Sequence, residues 1–300
     1  MKLSGVIPIL PTIFDAEGRI DELGTRLVLD YIIAAGARGI VFPGLASEYD
    51  QLTPDERVHL TARIGAWIDG RVLFVVGASA EESADAIVYA AAGTRAGCVA
   101  AMILTPRAFA GDMPAMAAFF REAAEQSGLP IMVQNAPPPM GLGLPLEQVA
   151  ALAKEVAQIV YVKEEALPSG QRMTRLTELA GDSLQAVFGG AGARYVIDEL
   201  KRGARGTMPA CEITELHVAM LDRWEAGDEA GARDMFERTL PLLSMQAVFR
   251  WRLTKKVLQK RGLIESDHVR APGPALDRYD LAELDALLAR LADVMPLDLA

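Results

Sequence analysis

The stretch IVYVKEEALPSG, residues 159–170, decides the fold. Ile159, Val160, Tyr161 and Val162 form an almost unbroken apolar run; Lys163, two glutamates and a Pro-Ser-Gly turn follow. A short apolar run without polar alternation suits a strand covered on both faces, as in a parallel sheet wrapped by helices. Lys163 at its end is either a solvated strand end or an amine placed in a cavity. Position alone leaves both open.

Seven other stretches read the same way: GVIPILPT (5–12), GIVFPG (39–44), VLFVVGA (72–78), CVAAMILTP (98–106), PIMVQNA (130–136), LQAVFGG (184–190) and ARGTMPAC (204–211). Segments with helical periodicity lie between them, near 21–36, 53–67, 83–96, 113–127, 146–157, 172–180 and 192–202. The second opens with Thr53, Pro54 and Glu56, the residue types that cap and start a helix. Strand–helix units repeated eight times predict a (β/α)8 TIM barrel. The lack of a G-x-G-x-x-G after the first strand counts against a dinucleotide-binding sheet. Residues 1–211 are expected to hold the barrel core, and 212–300 the last barrel helix and a C-terminal helical extension, all in one structural domain.

Of the 300 residues, 51% are hydrophobic and 23% charged, enough for a large core. With 40 acidic and 30 basic residues the formal charge is −10, which argues against nucleic acids and anionic membranes as partners, since both need a basic face, while a cleft can still oppose the overall balance and take an anionic substrate. Cys98 and Cys211 are too few for a disulfide framework and sit in apolar runs, as small buried residues do. No apolar run reaches a membrane span, and MKLSGVIPILPT lacks a secretory core with a cleavage site, so a soluble, cytoplasmic protein is expected. His59, His217 and His268 are dispersed, and none has carboxylates at ligand spacing; no metal and no cofactor are expected. His59 and His217 read as helix-face residues.

In a parallel barrel the carboxyl ends of the strands form the active-site face, and Lys163 falls there. Side chains alternate along a strand, so Lys163 and Glu165 share one side while Glu164 points the other way. Apolar walls disfavour an ammonium and free the amine as a nucleophile, whereas a nearby carboxylate works against that. A free amine attacks a ketone to give an iminium, an electron sink for cleaving neighbouring C–C or C–O bonds.

These residues also carry a family resemblance. GVIPILPTIFDAEGRID is similar to the N-terminal segment of the dihydrodipicolinate synthase/N-acetylneuraminate lyase family, and GARGIVFPGLASEYDQLTPDER to its G-x-x-G-[ST]-[ST]-G-E block. IMVQNAPP stands in the place of that family's Y-N-x-P, and YVKEEA in that of the strand bearing its Schiff-base lysine. The resemblance runs nearly end to end and implies that Lys163 is the catalytic amine. It also implies a homotetramer or homodimer, with a small 2-keto acid as the partner molecule.

The departures carry as much information. Gln134 replaces the tyrosine that serves as proton shuttle; an amide cannot transfer protons near neutral pH but can position a hydroxyl or water. Gln134 is therefore a substrate-positioning residue or a buried structural one. Gly44-Leu45-Ala46-Ser47-Glu48 lacks both hydroxyls of the carboxylate-binding block, so the amides of Leu45, Ala46 and Ser47, with the Ser47 hydroxyl, are the expected carboxylate donors. Glu48 is either a loop fastener or a catalyst. TPRAF ends the fourth strand without the relay tyrosine of synthase-type members; Arg107 there binds a distal carboxylate or hydroxyl cluster, or is a surface arginine. PPPMG (137–141) lacks the arginine with which synthase-type members hold an amino acid, which argues against that condensation.

VQNAP together with K-x-E resembles the sugar-acid dehydratase branch, particularly 2-keto-3-deoxy-L-arabonate dehydratases, with Asn135 replacing an aspartate. The resemblance implies a dehydratase of a 2-keto-3-deoxy sugar acid, with Lys163 as nucleophile, Glu165 as base or acid, Gln134 assisting, and Leu45, Ala46, Ser47, Asn135 and Arg107 binding substrate. The alternatives are an aldolase releasing pyruvate, a relative acting on a cyclic imine acid, and a keto-acid-binding barrel without catalysis.

Overall fold

The computed structural model describes residues 3–295. Eight parallel strands follow one another: β1 (Gly5–Val6), β2 (Gly39–Phe42), β3 (Leu73–Gly77), β4 (Ala100–Leu104), β5 (Ile131–Asn135), β6 (Ile159–Glu164), β7 (Ala186–Gly189) and β8 (Gly206–Thr207). From β2 to β8 each strand pairs with the next, and β1 pairs with β8. The ring closes between β1 and β2 through bonds from Arg38 N to Val6 O and from Val41 N to Pro8 O, and an isolated bridge joins Ile9 to Val41. This is the expected TIM barrel.

Two strands are shorter than the apolar runs suggest. Pro8 and Pro209 have no N–H to give to a ladder, so regular pairing stops at Val6 and Thr207 and resumes as single bridges at Ile9 and Ala210. The helices are α1 (Glu22–Ala34), α2 (Pro54–Ile68), α3 (Ser83–Arg95), α4 (Met113–Ser127), α5 (Leu146–Glu155), α6 (Ser169–Ala180), α7 (Val196–Lys201), α8 (Thr214–Glu225), α9 (Glu229–Phe249), α10 (Trp251–Lys260) and α11 (Arg278–Leu291). In α2, Thr53 Oγ1 accepts from Glu56 N and Glu56 Oε2 accepts from Thr53 N, the reciprocal cap expected from sequence. The seventh helix begins four residues later than its periodicity suggests, because 191–193 form a separate 3-10 turn. The 212–261 stretch breaks into three helices, at Gly227 (φ +83) and at Arg250 (φ +51).

Two cores lie on either side of the strands. Ile7, Val41, Val75, Met102, Met132, Tyr161 and Phe188 fill the barrel lumen, while Val76, Ile103, Val133, Val162 and Val187 pack outward on the helices. A third cluster joins α8–α11 to the barrel through Val6, Val196 and Ile197. On β6 the alternation is explicit: Tyr161 faces in and Val162 faces out. Lys163 must then face in and Glu164 out. Tyr161 and Phe188 meet edge to face, with ring centres 6.2 Å apart, beneath the lysine.

The loop after β2 is tied to the C-terminal helices by a fully buried ion pair. Lys255 Nζ on α10 lies 2.6 Å from Glu48 Oε1 and 2.9 Å from His268 O, and the Ala271 amide donates to Glu48 Oε2 at 2.7 Å. Burial pulls the Lys255 ammonium down to about 8 even though Glu48 favours its charged form. Glu48 is thus a loop fastener, held at φ +56 at the end of the 3-10 turn Leu45–Ser47. Removing only the cation leaves a buried carboxylate uncompensated, so Lys255→Met should destabilise the protein by about 3–5 kcal/mol in urea unfolding. Adding Glu48→Gln should recover most of that loss. A change below about 1 kcal/mol in the single variant would mean that the pair does not hold the loop.

Candidate active site

At the carboxyl end of the barrel a cavity of about 340 Å³ opens above Lys163, within the range of small-molecule sites. Ile9, Met208 and Ala210 line its floor and sides, Leu45 and Ala46 one rim, and Ala191, Gly192 and helix residues from α9 and α10 another. Lys163 Nζ lies 3.2 Å from Glu165 Oε1, with both side chains almost wholly buried (4% and 9% exposed). Gln134, which pairs directly with Lys163 across β5 and β6, donates from Nε2 to Glu165 Oε2 at 2.6 Å. The Ala191 amide donates to Glu165 Oε1 at 3.1 Å. The structure therefore brings Lys163, Glu165 and Gln134 together as one hydrogen-bonded group.

Burial would raise the Glu165 carboxyl, but the Lys163 ammonium and the Gln134 and Ala191 donors outweigh it and hold the group below the usual carboxylate range. At neutral pH it is an anion. Glu164 faces the other way, between β6 and α6. It accepts from Arg172 Nε (3.0 Å), Asn135 Nδ2 (2.8 Å) and the Ala166 amide (2.9 Å), and burial raises its carboxyl despite those donors.

Three expected substrate contacts are placed elsewhere. Asn135 lies one residue beyond Gln134 and so faces outward: Nδ2 reaches Glu164 and Leu144 O, while Oδ1 accepts from Leu144 N. It pins the loop after β5 and does not reach the cavity. The Ser47 hydroxyl donates to Leu10 O and accepts from Gly44 N, and its amide bonds Gly44 O, so its polar groups are spent inside the loop. The amides of Leu45 and Ala46 have no acceptor among the described residues and remain free at the rim. Arg107 lies outside this cavity, exposed, 3.8 Å from Glu81 and bonded to Pro139 O. It lines an adjoining hollow that shares Leu45 and Met140 with the Lys163 cavity.

Sequence reading missed the glycines that make room for the carboxylates. A Cβ on Gly190 would sit 2.3 Å from Glu165 Oε1, and one on Gly189 would sit 1.8 Å from Glu199 Oε2. Paired glycines at a strand end are a legible sign of close approach, though not of what approaches. Glu199, on α7, accepts from Ser169 Oγ through Oε1, while Oε2 has no partner. Burial, aided by the nearby Glu165 and Asp198 charges, pushes it up to about 7 against the pull of Ser169. Gln246, Arg250 and Trp251 come from the C-terminal helices, and nothing local in the chain announces that they fold back over the barrel mouth.

Among the described residues no group of three or more His, Cys, Asp or Glu could hold a metal ion, and no helix is long and apolar enough to cross a membrane. Both cysteines are buried, and burial raises their thiols. His59 is exposed on α2, 2.7 Å from Glu22. His217 is buried on α8 with neither ring nitrogen bonded, and burial lowers it to about 4.

An inward amine paired with a carboxylate stands at the mouth of the (β/α)8 barrel. The chain belongs to the dihydrodipicolinate synthetase family, whose model matches residues 2–291. It is 28% identical over 291 residues to the L-2-keto-3-deoxyarabonate dehydratase of Azospirillum brasilense, covering 96% of this chain and 94% of that protein. It is 29% identical over 290 residues to 4-hydroxy-tetrahydrodipicolinate synthase 1 of Streptomyces coelicolor, covering 94% and 92%. The crystal structure of YagE from Escherichia coli K12, in complex with pyruvate, superposes with a TM-score of 0.90 at 24% identity, covering 97% of this chain and 99% of that one. The family is one of lyases, and relatives at similar identity carry different reaction names.

The Gly190 contact gives a direct test. Gly190→Ala should displace the Glu165 carboxylate and lower kcat by about 10²-fold or more, the scale of a misplaced proton-transfer group. Far-UV circular dichroism should stay unchanged. Wild-type turnover in that variant would remove Glu165 from the chemistry.

Proposed function

We propose that the protein is a Schiff-base-forming hydro-lyase acting on a 2-keto-3-deoxy sugar acid, the class that includes 2-keto-3-deoxy-L-arabonate. The observation that carries this reading is the 3.2 Å contact between Lys163 and Glu165, with Gln134 bonded to the same carboxylate. A likeness to the Azospirillum dehydratase along nearly the whole chain supports it.

Glu165 takes a proton from the Lys163 ammonium, and the free amine adds to C2 of the keto acid. Glu165 returns that proton to the carbinolamine hydroxyl, which leaves as water and gives an iminium, while the free amides of Leu45 and Ala46 hold the C1 carboxylate. The iminium acidifies C3; Glu165 removes a C3 proton, and the electron pair forms the enamine. The enamine then expels the C4 hydroxyl, which leaves as water with the proton held on Glu165. This yields a conjugated iminium with a C3–C4 double bond. Hydrolysis returns the Lys163 amine and a dehydrated 2-keto acid. Gln134 transfers no proton; its N–H keeps the carboxylate facing the amine.

Retro-aldol cleavage from the same iminium is the second reading. Glu165 is an anion beside the lysine, so it could also take the C4 hydroxyl proton. The branch point is which proton the single base reaches, C3–H or C4–OH.

The test incubates the enzyme with 2-keto-3-deoxy acids of varied length and C4 configuration, with products identified by NMR. A dehydrated keto acid supports the hydro-lyase, whereas pyruvate plus an aldehyde supports the aldolase. Borohydride reduction with a saturating 2-keto acid should label the peptide containing Lys163, and Lys163→Ala should abolish both label and turnover. Gln134→Ala should keep the label and lose about 10²-fold in kcat, the scale of removing one positioned donor. An unlabelled Lys163 at saturation would overturn both readings.

A further inference from the structure

The far wall of the Lys163 cavity is cationic, although the chain as a whole carries a net charge of −10. Arg194 and Arg250 both line that cavity, and Arg252 continues the surface into the adjoining hollow. None of the three has a carboxylate within salt-bridge distance among the described residues. Arg194 Nη1 reaches only neutral oxygens, Gln246 Oε1 at 3.2 Å and Leu243 O at 3.4 Å. Arg250 Nη2 has the Met140 sulfur at 2.9 Å, a weak acceptor, and its guanidinium stacks 4.8 Å from the Trp251 ring centre. Arg252 donates to Ala271 O, and its buried Nε has no partner. By contrast, Arg172, Arg261 and Arg270 each pair with a glutamate.

Backbone geometry aims the same way. Arg250 sits between α9 and α10 at φ +51, ψ −122, a conformation L residues rarely adopt. The α10 end at Trp251 has no side-chain cap, so its positive end also faces the cavity mouth. Gly192, at φ +67, keeps the space above Arg194 and Gln246 clear; a Cβ there would lie 3.1 Å from Gln246 Oε1 and 3.2 Å from Arg194 Nη1. With the C1 carboxylate held by the Leu45 and Ala46 amides, the two arginines are left for another group of the substrate.

We infer that Arg194 and Arg250 bind a second, terminal carboxylate, so that among 2-keto-3-deoxy sugar acids the substrate is a diacid and not a monoacid ending in a hydroxyl. This rests on the assignment of Lys163 as the amine that takes C2, and it narrows the substrate class of that site. A guanidinium fork matches a carboxylate bidentately, and two forks left without anionic partners supply the charge such a group needs.

Two commercial probes share a five-carbon 2-keto chain and differ at the far end: 2-oxoglutarate ends in a carboxylate and 2-oxopentanoate in a methyl group. Calorimetric titration should show 2-oxoglutarate binding at least 10-fold tighter at low salt. That ratio should fall to within about twofold in the Arg194→Gln/Arg250→Gln protein, and Arg250→Lys should restore part of it. Equal binding of the two probes by the wild type, or a ratio unmoved by the arginine substitutions, would overturn the inference. The same titration on Lys163→Ala protein reads the terminal preference without a Schiff base. Failure of borohydride labelling therefore counts against the lyase reading alone, and loss of the 2-oxoglutarate preference against the diacid alone.

Discussion

A lysine and a glutamate share the inner face of one strand at the top of a closed barrel, and the rest of the site is arranged around their opposite charges. Neither could be buried alone there at modest cost, since an isolated ion in an apolar interior is heavily penalised. Together, 3.2 Å apart and with two further donors on the carboxylate, they are a compensated pair. In the proposed reaction the same proximity starts the chemistry: the group that stabilises the ammonium is also the one that takes its proton. Below the pair, Tyr161 and Phe188 close the lumen and leave the amine only the cavity side to face.

Other buried polar groups act as fasteners for the loops that frame this pair. Glu48 and Lys255 join the loop after β2 to α10, leaving the Leu45 and Ala46 amides at the rim. Asn135, Glu164 and Arg172 do the same for the loop after β5, with Arg172 Nη2 also donating to Leu144 O. Asn135 and Glu164 stand one residue away from Gln134 and Lys163, on the opposite face of β5 and β6. A one-residue shift in either strand would exchange fasteners for chemistry, so register protects both roles.

The barrel and its lysine were legible because both depend on local pattern. Apolar runs mark covered strands, and a period of two places Lys163 and Glu165 on one side and Glu164 on the other. The same rule, applied to Gln134 and Asn135, would have turned Asn135 outward; motif likeness placed it with the substrate instead. Ser47 misled for a different reason: a small hydroxyl in a tight turn often bonds its own backbone, and this one bonds Gly44 and Leu10. Glu199 and Arg194, on α7 and in the turn before it, were not legible because no motif marks them, and Arg250 was not because it stands where α9 and α10 return to the barrel mouth. No spacing in the chain encodes that meeting.

The central claim is that Glu165 moves the proton at the carbon next to the iminium, in the role a tyrosine would otherwise fill. Exchange of the pyruvate methyl hydrogens for deuterium, followed by NMR in D2O, reports enamine formation without any later step. Glu165→Gln protein, assayed at a pH high enough to free the amine, should still label Lys163 on borohydride reduction while its exchange rate falls by about 10²-fold or more. Exchange at the wild-type rate in that variant, with Lys163 labelled as before, would contradict the account.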